Sequence, residues 1–192
     1  GDFVRYGLET FHKQHGVPIA LNAGDLLIGE GYRLLAESAT DDAIRVKMLG
    51  AVSLAHRRLC IGQGEELRWM RHPDAPTLEW LLRLFRHKTA PAFEAALLLG
   101  AIAAGADETT CGALGEFSRN LGIAYQIRDD LLDMHKDTDW QSSCIQQPSL
   151  VLAVLCERCN SDDRREIREH LQREPNSNHA APDLRAKCRR YD

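Results

Sequence analysis

The chain has 192 residues, 44% of them hydrophobic and 27% charged, with a net charge of −4. That composition suits one soluble domain with a substantial core, and without a basic stripe interleaved with aromatics it excludes a nucleic-acid-binding surface. The longest apolar run, residues 90–106, contains Pro91, Glu94 and two glycines and is too short to cross a bilayer.

No signal-peptide pattern opens the sequence, and its six cysteines read as reduced thiols of a cytoplasmic protein rather than a disulfide framework. Helical periodicity dominates, and no strand alternation stands out. A first helix is expected over residues 15–38. A second starts at Asp41 and Asp42, whose carboxylates after Thr40 mark an N-terminus, and runs to Arg71, where HPDAP stops it. A third, long and apolar, opens near Thr77 and reaches Ala104. Pro91 has no N–H for the carbonyl of His87 and is expected to kink it. A fourth helix spans residues 108–136, and PSLVLAVLCER is a fifth. SDDRREIREHLQRE reads as a short amphipathic surface helix capped by Ser161. Residues 137–147 and 175–182 read as loops. Long apolar helices joined by short turns indicate a single all-α helical bundle.

The stretch YQIRDDLLD places Gln126, Asp129, Asp130 and Asp133 at relative positions 0, 3, 4 and 7, one stripe along a helix. Ile123, Ile127, Leu131 and Leu132 surround it with apolar surface, and Arg128 is expected to point elsewhere. Buried carboxylates are costly unless a cation neutralises them. Convergent carboxylates form a hard-oxygen site suited to Mg²⁺, which keeps several waters and shares its remaining positions with phosphate oxygens. A phosphorylated substrate is the expected cargo; a solvated helix face is the alternative. Lys88, in HKTAPAF, is costly among apolar neighbours. The bend at Pro91 is expected to turn Lys88 and Thr89 toward a cavity, as a cation and a hydroxyl for diphosphate. A lysine snorkelling at a helix bend is the competing reading.

In chain order, HGVPIALNAGDLLIGEGYRLL, IGQGEEL, KTAPAFEAALLLGAIAAGAD, YQIRDDLLD and QQPSLVLAVL resemble the trans-isoprenyl diphosphate synthases, the polyprenyl synthetase family, over nearly the whole chain. YQIRDDLLD is similar to the family's second aspartate-rich motif, and KTAPAF opens what looks like its Lys-Thr helix. The resemblance implies a partial isoprenoid-synthase-type bundle. It also implies a Mg²⁺-dependent prenyltransferase that condenses isopentenyl diphosphate with an allylic diphosphate into a longer all-trans polyprenyl diphosphate of the farnesyl or geranylgeranyl type. Asp129, Asp130 and Asp133 would then ligate Mg²⁺ bridging to the allylic diphosphate. Lys88 and Thr89 would hold that diphosphate, Lys88 assisting its departure, and Gln126 would line the same site. Arg5 fills the family's first arginine position and would bind substrate, whereas Tyr6 stands where a second arginine helps bind isopentenyl diphosphate. A homodimer packed through long helices is implied as well. The family's first aspartate-rich motif falls just ahead of Asp2 by this resemblance. The sequence is therefore expected to be a part of a longer one, or ordered residues with gaps closed up.

Tyr6 and the missing first motif motivate a different reading, a non-catalytic or regulatory subunit of a prenyl diphosphate synthase. CERC, with Cys156 and Cys159, reads as core thiols rather than half of a zinc site, since no second pair stands at ligand spacing. Asp25 is expected to be partly buried in a structural role. Gln63 and Glu66 either border the cavity or hold the second helix in place.

Overall fold

A computed structural model describes residues 3–5, 7–135, 146–172 and 183–191, and these are helical almost throughout. The chain divides into two compact units, Gly1–Gly50 and Ala51–Asp192, the boundary falling inside the third helix.

The first unit opens with a small antiparallel hairpin, β1 (Val4–Arg5) and β2 (Leu8–Glu9), in which Val4 faces Glu9 and Arg5 faces Leu8. Strands of two residues are too short to show alternation, which is why the sequence pattern does not reveal them. Gly7, at φ 77°, supplies the left-handed residue that the turn needs. The expected helix over residues 15–38 is two helices, α1 (Phe11–His15) and α2 (Val17–Ala36). Gly16, at φ 84°, separates them, and Pro18 sits in the first turn of α2, where its missing N–H costs nothing. Asp25 is exposed on α2, not partly buried. Helix α3 (Asp42–Arg71) starts where its carboxylates predict: Asp41 Oδ1 accepts the Ala43 N–H at 2.8 Å.

Among the described residues, the second unit contains the rest of α3 and then α4 (Leu78–Lys88), α5 (Ala90–Ala103), α6 (Glu108–His135), α7 (Leu150–Arg158), α8 (Ser161–Leu171) and α9 (Leu184–Tyr191). Helix α4 turns Leu81, Leu84 and Phe85 inward at helical spacing, where they meet Ala153 of α7 with Ile123 and Ile127 of α6 alongside. The other face of α7 packs Val151, Leu152, Leu155 and Cys156 against Trp69, Ile167, Leu171 and Leu184. Helix α7 is therefore shared by both core clusters. Leu84 is 1% exposed. Replacing it with alanine removes a fully buried side chain and is expected to cost about 2–5 kcal/mol of stability. Denaturant unfolding followed through the fluorescence of Trp69 and Trp80, whose rings stack 6.5 Å apart, measures this directly.

The residue capping α8 is Asn160, whose Oδ1 accepts the Asp163 N–H at 2.8 Å, rather than Ser161. Helix α9 is absent from the sequence expectation. Its inward face reads Leu184, Lys187, Cys188 and Tyr191, and the lysine disguises the stripe. Lys187 is buried and donates to Asp163 and, at 2.7 Å, to Glu166. Tyr191 donates its hydroxyl to Asp163 at 2.5 Å. The bonds from Lys187 and Tyr191 hold the Asp163 carboxyl below the usual carboxylate value. A depressed carboxylate contributes stability that is complete above its unfolded pKa and lost as pH falls through the folded one. Unfolding midpoints measured between pH 6 and 2 should thus show a steeper acid decline for the wild type than for Asp163→Asn.

The expected third helix is broken rather than kinked. Thr89, at φ −116° and ψ −46°, ends α4 and starts α5, with Pro91 inside the first turn of α5. Two glycines grip this break. A Cβ on Gly62 of α3 would lie 2.5 Å from the backbone of His87 and Lys88, and one on Gly122 of α6 would lie 2.4 Å from the Cα of Ala90. The residues that carry the site chemistry are held between them. The loop expected over residues 137–147 lies outside the described residues except at its last two positions, and that over 175–182 lies wholly outside.

Candidate active site

Lys88 closes the last turn of α4, where a cation also complements the helix dipole. Its Nζ donates to Glu66 Oε1 at 2.6 Å, and Gln63 Nε2 donates to the second oxygen at 3.2 Å. Glu66 is only 5% exposed. Lys88 is therefore not snorkelling; it neutralises a buried carboxylate supplied by α3. The sequence alone allows Glu66 to border the cavity or to hold the second helix in place. The i, i+3 spacing of Gln63 and Glu66 after a glycine was the available signal.

The adjacent residue joins a second network. Thr89 Oγ1 donates to Gln126 Oε1 at 3.0 Å, and Gln126 Nε2 donates to Asp130 Oδ1 at 3.1 Å. The other oxygen, Asp130 Oδ2, accepts the Leu150 N–H at the start of α7, at 2.7 Å. An ionised carboxylate can only accept, so it fixes which way the Gln126 amide faces. Burial pushes the Asp130 carboxyl up, against the opposing pull of the Leu150 and Gln126 hydrogen bonds; the charges of Asp133 and Lys88 reach it with opposite effects. The lysine and the aspartate stripe thus belong to one neighbourhood. Lys88, Thr89, Gln126 and Asp130 are brought together at the α4–α5 break.

Asp129 and Asp133 sit on the outer side of the same stripe, half-exposed and exposed. Arg128 does not point away: its guanidinium lies 4.7 Å from the Tyr125 ring centroid and reaches Asp129 Oδ1 at 3.8 Å. A pair this exposed and this long is weak. Among the described residues no three histidine, cysteine, aspartate or glutamate side chains are placed to hold a metal ion. The donor chemistry nevertheless fits magnesium, which takes one or two carboxylates and completes its shell with water and phosphate oxygens. Two carboxylates at i, i+4 on an accessible helix face supply that much.

Glu94, overlooked as a functional group in the sequence, is a buried acid in the apolar α5. It accepts from Arg58 of α3 at 2.8 Å and from Arg119 of α6 at 3.4 Å, tying together the three helices around the break. Cys156 and Cys159 are core thiols, and burial pushes the Cys156 thiol up to about 12. The five described cysteines are free. Arg5 lies on β1 of the first unit, and its functional role rests on the resemblance. Among the described residues no helix is long and apolar enough to cross a membrane.

An all-α bundle with a lysine at a helix break beside an aspartate stripe fits the isoprenoid-synthase type that the resemblance implies. The polyprenyl synthetase family profile matches residues 1–187, and the chain belongs to this family. It is 34% identical over 139 residues to a geranylgeranyl diphosphate synthase of Sulfolobus acidocaldarius, covering 71% of this chain and 42% of the relative. A second geranylgeranyl diphosphate synthase, from Mycobacterium tuberculosis, is 34% identical over 137 residues, covering 71% and 39%. The crystal structure of geranylgeranyl pyrophosphate synthetase from Pyrococcus horikoshii superposes with a TM-score of 0.80 at 26% identity, covering 99% of this chain and 57% of that one. The chain spans about two fifths of the length of these curated relatives.

Proposed function

We propose that this chain serves a Mg²⁺-dependent prenyltransferase, which condenses isopentenyl diphosphate with an allylic diphosphate into a longer all-trans polyprenyl diphosphate of the farnesyl or geranylgeranyl class. The observation that supports this most is Lys88, held at a helix break beside the Gln126–Asp130 end of the aspartate stripe. The names of its relatives agree with that substrate class.

Asp129 and Asp133 would hold Mg²⁺, which when bound neutralises charge on the diphosphate. Lys88 has three protons to donate, so Glu66 can keep one while the others reach the departing group. A cation fixed in advance, in a site with little water, stabilises charge that develops only as the bond breaks. The C–O bond to the allylic diphosphate cleaves with both electrons leaving on oxygen. The double bond of isopentenyl diphosphate then attacks the carbocation, and a proton is lost. Water must be kept from intercepting the cation. Arg5 would contribute to substrate binding, as the resemblance implies. A homodimer in the cytoplasm is part of the same proposal.

The test is release of diphosphate from farnesyl or geranyl diphosphate plus isopentenyl diphosphate by the full-length protein with Mg²⁺. Asp129→Ala is expected to lower turnover by roughly 10²–10³-fold with helicity unchanged. Tyr6, at the usual arginine position, favours a second reading: a non-catalytic subunit. No turnover by the chain alone, with stimulation of an active synthase on mixing, would select it.

A further inference from the structure

We propose that Asp130 is a positioning residue, fastening the start of α7 to α6 and orienting the Thr89–Gln126 pair, while Asp129 and Asp133 are the carboxylates presented outward. Both of its oxygens are already committed within the protein. Oδ1 accepts from Gln126 Nε2 at 3.1 Å, and Oδ2 accepts the Leu150 N–H at 2.7 Å. Asp133 is exposed, and the Asp129 side chain is 42% exposed with the Arg128 guanidinium 3.8 Å from its Oδ1. One residue along a helix is a rotation of about 100°, enough to turn one carboxylate of an adjacent pair toward the protein while the other faces out.

The consequence reaches Thr89. Because the carboxylate only accepts, Gln126 must turn its NH₂ toward Asp130 and its oxygen toward Thr89, which then donates its single hydroxyl proton. Asp130 thus sets the direction of the hydrogen bonds that run from Thr89 through Gln126, and its other oxygen holds the first turn of α7. The same α7 carries Leu152 and Ala153, both fully buried, so the fastening links the site to the core. Asparagine can substitute for this role. Its oxygen would accept from Leu150, its amide would donate to a flipped Gln126, and Gln126 would donate to Thr89. Alanine cannot.

The first arm of the test is amide hydrogen exchange on the full-length protein without metal. Asp130→Ala should accelerate exchange at the Leu150 amide at least tenfold. Asp130→Asn should change it by less than threefold, and Asp129→Ala should leave it unchanged. Unaltered exchange in Asp130→Ala overturns the proposal. The second arm rests on the functional reading above and measures the Mg²⁺ concentration that half-saturates binding of inorganic diphosphate. Asp129→Ala should raise it tenfold or more and Asp130→Asn by less than threefold. An equal rise in both variants makes Asp130 a ligand and overturns the proposal. If the wild type binds no diphosphate with Mg²⁺, the functional reading fails and the exchange arm decides the positioning role by itself.

Discussion

Lys88→Met is expected to lower turnover by roughly 10²–10³-fold, the usual loss when one fixed charge aimed at a developing anion is removed. The same substitution should also destabilise the fold, because Glu66 is 5% exposed and would lose its cationic partner. Stranding one member of a buried pair costs about 3–5 kcal/mol. Loss of activity alone would therefore prove little. The double variant Lys88→Met with Glu66→Gln separates the two effects: a neutral amide no longer needs an ammonium, so thermal stability should recover while turnover stays low. Glu66→Gln alone keeps the lysine but loosens its aim, and a smaller decrease in kcat, roughly tenfold, is expected. Recovery of turnover in the double variant would show that Lys88 serves the fold and not the chemistry.

The long elements were legible because each carries one continuous apolar stripe. Helix α6 could be read to its C-terminal end, and α3 announced its start through Asp41. The α4–α5 break was legible as a disturbance but not in form. Pro91 signals a change of direction, yet the break falls two residues earlier, at Thr89, because proline is tolerated in a first turn. The site was legible in residue types, since a lysine and a run of aspartates beside apolar residues need a physical reason to be there. Which of them face one another was not. Glu66 lies 22 residues before Lys88, and the Leu150 N–H lies 20 beyond Asp130. Partners at such separations are set by how helices pack, which no local period encodes. Helix α9 is hidden in the sequence because Lys187 occupies a buried position, where Asp163 and Glu166 on another helix compensate its charge.

Gly122→Ala is expected to disturb the candidate site without touching any residue of the cluster. The added Cβ would lie 2.4 Å from the Cα, 2.7 Å from the Cβ and 2.8 Å from the N of Ala90. No rotamer relieves a collision with backbone, and Ala90 has nothing to fold away. Helix α6 and the start of α5 would have to part by about 1 Å to reach an ordinary contact near 3.4 Å. Overpacking of this kind costs about 1–3 kcal/mol, more than offsetting the gain of up to ~1 kcal/mol from alanine's helix propensity. The displacement falls between Thr89, one residue before Ala90, and Gln126, one turn after Gly122, which are joined by a 3.0 Å hydrogen bond. A misplacement of about 1 Å in positioning groups can cost around 10²-fold in rate, so turnover should fall well beyond what the loss of stability explains. Gly112→Ala is the control on the same helix. Nothing lies within 4 Å of its added Cβ, so only the propensity term remains. That variant should melt at a slightly higher temperature with unchanged turnover. If Gly122→Ala behaved the same way, the close approach of α6 to the break would not exist, and the alignment of Thr89 with Gln126 would need another cause.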